Sequence, residues 1–330
     1  FHAKLDRDRN DNGFYEDIAV VAFPTPAAEL VEFPGVKTAI GEKSFTLAGE
    51  KPFTASGVSF RLDYGWIWSG DVTIAVEVSD DGAAFAPLER FEMPLARSGG
   101  GDRGLRYHAF PKPLTAKAIR CTVVKTTTAV KIRDARPEAR MAVSNLKAKT
   151  FEVRQEAPRD TGTATADQVV ARSAVRNLIG SLAKDGTLDW DVPAGDWTIV
   201  RIGYKCNGRR NHPASDHGVG LEVDKLSAAA MDYHFDQYVA VLCRTLGPLA
   251  GNVETGFNNI LVDSYEVGSQ NWTQRLDKTF ERRMGYSLVP YLPVFAGRVV
   301  DSVDVTERFL EDFRRVVADL FAENYAGALA

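Results

Sequence analysis

A chain of 330 residues is longer than one ordinary core organises, and at roughly 100–200 residues per domain it predicts two domains. Its 45% hydrophobic and 25% charged residues are those of a globular protein and exclude a disordered or fibrous class. With 40 Lys plus Arg against 44 Asp plus Glu the net charge is -4, so no basic field exists to draw a phosphate backbone, and nucleic acid is excluded as a partner.

Apolar runs such as Ile18 to Phe23 fall far short of the ~18–20 residues that cross a bilayer, so no membrane partner is expected. Cys121, Cys206 and Cys243 are widely spaced, without a CxxC or Cys/His ligand pattern, and read as buried or inert thiols. The chain opens on Phe1-His2-Ala3, with no Met and no leader pattern, and its last amphipathic helix runs towards Ala330 with no stop signal except Gly327. Both ends suggest an internal piece of a longer protein.

From Tyr15 to about Val153 short β-branched and aromatic runs alternate with Gly, Pro and Asp-Gly. Ile18 to Phe23, Val72 to Val78 and Ile119 to Val124 predict strands, and Asp81-Gly82 predicts a hairpin turn, because Gly accepts the positive φ that such turns require. Many strands without helices predict a β-sandwich or jelly roll, closing on a last strand at Ser144-Asn145-Leu146. The stretch Glu77 to Phe85 with that last strand resembles galactose-binding-like jelly rolls. Tyr64, Trp66 and Trp68 are compatible with a sugar platform or with packing, and are not assigned to a site.

Arg154 to Ala166 is polar, with Pro158 and Gly162, and reads as a linker. A turn-rich approach then leads to a strand at Trp197 to Tyr204, after which helical periodicity takes over. Ala228 to Leu246 predicts a helix with Ser227 as N-cap and Gly247-Pro248 as its stop. Asn259 to Val262 has the length of a buried parallel strand, and helices follow at about Trp272 to Met284 and Val305 to Tyr325. The last carries Phe309, Phe313, Val316, Val317, Leu320 and Phe321 on one stripe. Strand and helix in alternation predict a parallel β/α structure, and a barrel fits.

A barrel delivers reactive groups from its strand ends, which singles out Asp263 and Glu266 directly after the apolar run, with Tyr265 between them. A desolvated carboxyl there would stay protonated as an acid near neutrality. The alternative is that Asp263 caps a turn and Glu266 is solvated. A second constellation, Asn211-His212-Pro213-Ala214 followed by Gly218 to Leu226 with Glu222 and Asp224, offers oxygen ligands for a hard cation and partners for sugar hydroxyls, or is a packed loop before the Ser227 cap. No HExxH, GxSxG, Walker or GxGxxG pattern occurs, which removes zincin, serine-hydrolase and nucleotide readings.

The order Pro193 to Thr198, Asn211 to Ala214, Gly220 to Leu226, Asp263 to Thr273, Arg283 to Tyr286, Pro290 to Pro293 and Glu307 to Leu310 resembles glycoside hydrolase family 106, the α-L-rhamnosidases, most closely from about Asp189 to Tyr325. The resemblance implies an inverting enzyme that removes terminal rhamnose from a carbohydrate substrate with the help of calcium. It divides the chain into an inserted β-sandwich at 1–155, a linker and β-rich connection at 156–196, and the first portion of a catalytic (β/α)8 barrel at 197–330. Glu266 becomes the general acid, with Asn211, His212, Asp263 and Tyr265 as substrate contacts. Metal ligands stay unassigned, Glu222 and Asp224 being the first to examine.

The opposing base in the family is a Glu from a later strand, expected beyond Ala330, so this chain alone is expected to be inactive. Inversion needs carboxyls about 6.5–9.5 Å apart, and Asp263 lies too near Glu266 in sequence to sit across the sugar. A periplasmic or secreted bacterial protein is expected. The competing readings are a non-catalytic carbohydrate-binding fragment and a calcium-dependent polysaccharide lyase.

Overall fold

The structure is a computed structural model that describes residues 1–6, 14–65, 70–95, 105–153, 156–254, 256–261 and 267–329. It is mostly β in its first half, with helices concentrated in the second. Two compact units emerge, one of Phe1–Arg7, Asp17–Gly203 and Leu288–Glu311, the other of Asp8–Glu16, Tyr204–Ser287 and Asp312–Ala330.

In the first unit, β1 (His2–Lys4) pairs antiparallel with β10 (Thr187–Asp189). A three-stranded sheet places β2 (Glu16–Pro24) between β9 (Arg176–Asn177) and β11 (Trp197–Tyr204). Ala19 to Phe23 are buried at every position, as expected of a strand covered on both faces. The Arg201 guanidinium binds Asp17 in a fork at 2.7 and 2.8 Å and fixes how β11 lies on β2. Since β2 is flanked in space by β9 and β11, what lies between β2 and β9 in sequence is an insertion into that sheet.

The insertion is built on one long antiparallel sheet: β3 (Val36–Ile40), β4 (Ser44–Tyr64), β5 (Gly70–Ser79), β6 (Ala86–Leu95), β7 (Leu105–Thr126) and β8 (Val130–Glu138). Its order is β3-β4-β7-β5-β6, with β8 on the second half of β4. Straight strands of 21 and 22 residues would span about 70 Å at ~3.3 Å per residue, so β4 and β7 must bend. Register shifts at Ala48/Phe53 and Ala55/Gly57 supply the bends. A Cβ at Gly57 would stand 2.4 Å from the His108 carbonyl, so only glycine allows that approach. Alternate residues Val58, Phe60 and Leu62, Val72, Ile74 and Val76, and Ile119 and Cys121 enclose one core. Burial there pushes the Cys121 thiol pKa up, in keeping with an inert sulfur.

The expected closing strand at Ser144-Asn145-Leu146 is instead a turn leading into α1 (Leu146–Lys149), with Asn145 left-handed at φ 51. The Ser144 N–H goes to Asp160 Oδ2 at 2.8 Å rather than to a neighbouring strand, which is why no ladder forms. The stretch around Asp160, expected as linker, lies within this unit. Lys149, fully buried, places its ammonium 2.6 Å from Glu307 Oε1 and 3.0 Å from Asp160 Oδ2. Burial raises the Asp160 pKa, and the Lys149 charge opposes that rise.

The second unit holds α2 (Ala228–Gln237), α3 (Val239–Leu246), α4 (Leu276–Met284) and the C-terminal half of α5 (Val303–Phe321). Ser227 Oγ accepts the Ala230 N–H and starts α2 as predicted, but the expected single helix breaks at Tyr238 before α3 resumes to Gly247. Along α5 the stripe from Phe309 to Leu320 is buried, each side chain worth roughly 1.5–3 kcal/mol.

Asn259 to Leu261, expected as a buried parallel strand, form no strand; Ile260 is 49% and Leu261 89% exposed, and Val262 lies outside the described residues. A parallel strand is stabilised by ladders on its flanks. Among the described residues of this unit the parallel pairing is the single bridge Ala250↔Phe257, so no partner satisfies that run.

Candidate functional site

Beyond Tyr204 the chain leaves β11 and closes a loop on itself. Asn211 Oδ1 accepts the Gly220 N–H at 2.6 Å and Asn211 Nδ2 donates to the Gly218 carbonyl at 3.0 Å, while the backbones of Arg210 and Leu221 form a bridge. The Asn211 amide, expected at substrate, is thus engaged in shaping its own loop. His212 is exposed at the tip of that loop, ahead of a cis peptide bond to Pro213. Asp263, Tyr265 and Glu266 lie outside the described residues, and the structure starts again at Val267.

What surrounds that point is well determined by hydrogen bonds. Asn207 Nδ2 donates to the Val267 and Ser269 carbonyls at 3.0 and 3.3 Å. Gln270 accepts the Lys225 N–H on Oε1 and gives its own N–H to the Val223 carbonyl, both at 2.9 Å. Thr273 Oγ1 donates to Asp224 Oδ2 at 2.6 Å. The 267–273 segment is therefore fastened to the Glu222 to Leu226 segment by side chains that imitate strand pairing. Two family-like stretches, more than 40 positions apart in sequence, become neighbours.

Charge is handled internally. Lys225 is buried, its ammonium 2.8 Å from Glu222 Oε2 and 5.4 Å from the centre of the Tyr325 ring. Burial, and then the Glu222 charge, raise the Tyr325 pKa. The Tyr204 hydroxyl donates to Glu16 Oε2 at 2.5 Å; burial first, and this bond second, push its pKa up. The Tyr204 ring lies 6.4 Å from that of Trp272.

Glu222 and Asp224, the first to examine as calcium ligands, are each engaged by protein donors. Glu222 is neutralised by Lys225, and Asp224 is engaged by Thr273 on one oxygen and by the Leu226 N–H, at 3.0 Å, on the other. A hard cation takes 6–8 oxygen ligands, and among the described residues no group of three or more acidic, His or Cys side chains is placed to hold one. Asn207 escaped the sequence reading entirely. Gln270, Thr273 and Lys225 lay inside family-like stretches but were assigned no role, since a loop amide or hydroxyl carries no periodic signal.

A family model described as alpha-L-rhamnosidase, glycoside hydrolase family 106, matches residues 2–330. The chain belongs to this family. The rhamnosidase from Novosphingobium sp. PP1Y superposes with a TM-score of 0.74 and 26% identity over 96% of this chain and 31% of that one. A protein of Formosa agariphila, provisionally named a beta-glucuronidase, is 43% identical over 192 residues, 58% of this chain and 16% of the relative. The chain thus spans under a third of either protein. Among the described residues no helix is long and apolar enough to cross a membrane.

Proposed function

We propose that the full-length protein hydrolyses terminal α-L-rhamnosides with inversion, Glu266 acting as general acid and a second carboxylate, outside this chain, acting as base. The observation that supports the reading is the fastening of Val267 to Asn207 and of Gln270 and Thr273 to Val223, Asp224 and Lys225, because it anchors the chain one residue after Glu266. A general acid must be held against the leaving oxygen to be useful, and so its flank is rigid. The inserted β unit is then a galactose-binding-like sandwich, and 197–330 opens the catalytic barrel. Asn211, His212, Asp263 and Tyr265 contact the sugar. Calcium assists, with Glu222 and Asp224 the first ligands to examine. The protein works in the periplasm or outside the cell.

The test is the first product of an aryl α-L-rhamnoside followed by NMR. Inversion releases β-L-rhamnose before mutarotation. Release of α-L-rhamnose contradicts inversion, and an unsaturated product absorbing in the ultraviolet points to a lyase. A β-glucuronide belongs in the same assay because of the Formosa relative, and preference for it would contradict the rhamnoside assignment.

A further inference from the structure

Asn207 and Gly208 form an Asn-Gly pair on the exposed loop that follows β11. Gly208 adopts φ +72, which glycine does without strain, and a Cβ built on it would meet nothing within 4 Å. Among the described residues its backbone N–H has no acceptor, so that nitrogen is open to react.

The amide before it is oriented for the reaction. Asn207 Oδ1 accepts the Arg209 N–H at 3.0 Å, so negative charge developing on that oxygen meets a donor already in place. Nucleophile and target belong to adjacent residues, and no further ordering of the chain is needed.

The same amide fastens the catalytic flank. Asn207 Nδ2 donates to the Val267 and Ser269 carbonyls at 3.0 and 3.3 Å, on either side of Gly268. A carboxylate in its place has no hydrogen to give and turns an oxygen towards two carbonyl oxygens.

We propose that Asn207-Gly208 is a spontaneous deamidation site, and that its conversion releases the loop following Glu266 and inactivates the enzyme. The Gly208 nitrogen attacks Asn207 Cγ and closes a succinimide ring. The Cγ–Nδ2 bond breaks, and ammonia leaves with the former Gly208 N–H proton. Water then opens the ring at one of its two carbonyls, leaving Asp or isoaspartate, the latter with a backbone longer by a methylene. One water is consumed and one ammonia released, with no oxidant or metal. The bonds held by Nδ2 slow its departure relative to a free peptide, so conversion is gradual. The effect on activity rests on the reading of Glu266 as general acid.

The experiment ages full-length natural protein and Gly208→Asn at mildly alkaline pH. Peptide mass spectrometry with isoaspartate detection follows residue 207, hydrogen exchange follows 267–273, and hydrolysis of an aryl rhamnoside gives kcat and KM. Asn tolerates a left-handed backbone and the space around Gly208 is open, so Gly208→Asn keeps the fold and the fresh activity while its bulk hinders ring closure. In the natural protein residue 207 converts, exchange in 267–273 rises with it, and kcat of the converted form is about tenfold or more lower with KM changed less. Fresh Asn207→Asp shows the same loss, and aged Gly208→Asn keeps its amide and its kcat. The proposal is overturned if residue 207 stays an amide through an incubation that fully converts a synthetic peptide of residues 205–210, or if it converts while exchange in 267–273 stays unchanged. Fresh protein without rhamnosidase activity contradicts the Glu266 reading instead, and the mass and exchange measurements still decide this one.

Discussion

Gln270 and Lys225, 45 positions apart, are joined by a hydrogen bond of 2.9 Å from the Lys225 backbone N–H to the Gln270 side-chain oxygen, and the same amide returns an N–H to Val223. One planar group thereby replaces a rung of β-ladder between two loops. Gln270→Glu keeps the size but turns the donor towards Val223 into an acceptor facing a carbonyl. It loosens the loop by about 1–3 kcal/mol. In the full-length enzyme kcat then falls about tenfold or more, since a displacement of ~1 Å near the chemistry is costly, while KM changes less. Steady-state kinetics on a rhamnoside checks this; a rise in KM alone would assign Gln270 to substrate binding.

The Lys149 ammonium is buried between Glu307 and Asp160. Lys149→Met leaves two carboxylates without their cation and lowers the unfolding free energy by about 3–5 kcal/mol, read from urea unfolding at neutral pH. A loss below 1 kcal/mol would mean that the site relaxes or hydrates.

Asp160 makes this cluster pH-dependent in a definite direction. Its pKa is raised in the folded state, chiefly by burial, so the folded form holds its proton more tightly than the unfolded form. Its contribution is therefore fully present below the unfolded carboxyl pKa and is lost as pH rises through the folded one. Asp160→Asn has no such loss, so its stability relative to the natural protein improves as pH rises across that window. A constant or declining difference contradicts the assignment.

Asp81 behaves in the opposite sense. Its carboxylate accepts the N–H groups of Ala83 and Ala84 and the Ser79 hydroxyl in the β5–β6 turn, which lowers its pKa from 3.8 to about 2. Stability from this turn is present above the unfolded value and is lost as pH falls through about 2. NMR titration of the Asp81 carboxyl carbon gives the value directly; a midpoint near 4 would show that the turn bonds do not persist in solution.

The β unit was legible where residues alternate or a turn has its own chemistry: Val72 to Val78, Ile119 to Val124 and Asp81-Gly82 all fall where periodicity put them. The stripe on α5 was legible for the same reason. Ser144 to Leu146 misled because its backbone is claimed by Asp160, 16 positions away, which no local pattern reports. The run Asn259 to Leu261 misled because its apolar character states a need for neighbours without supplying them. At the site, Gln270 and Asn207 act by bonding to backbone, and backbone is the same in every sequence. Their role became visible only when distant loops were brought together.

Glu266 as general acid is tested most directly by its leaving-group dependence. Protonating a departing oxygen matters in proportion to how poor a leaving group it is, and such catalysis is worth about 10²–10⁴-fold. The measurement is kcat/KM of full-length Glu266→Gln on two α-L-rhamnosides, one with an alkyl alcohol as leaving group and one with an acidic nitrophenol. With Glu266 as the acid, hydrolysis of the alkyl rhamnoside collapses while the nitrophenyl rhamnoside is largely spared. Equal losses on both substrates, or no loss on either, would contradict it.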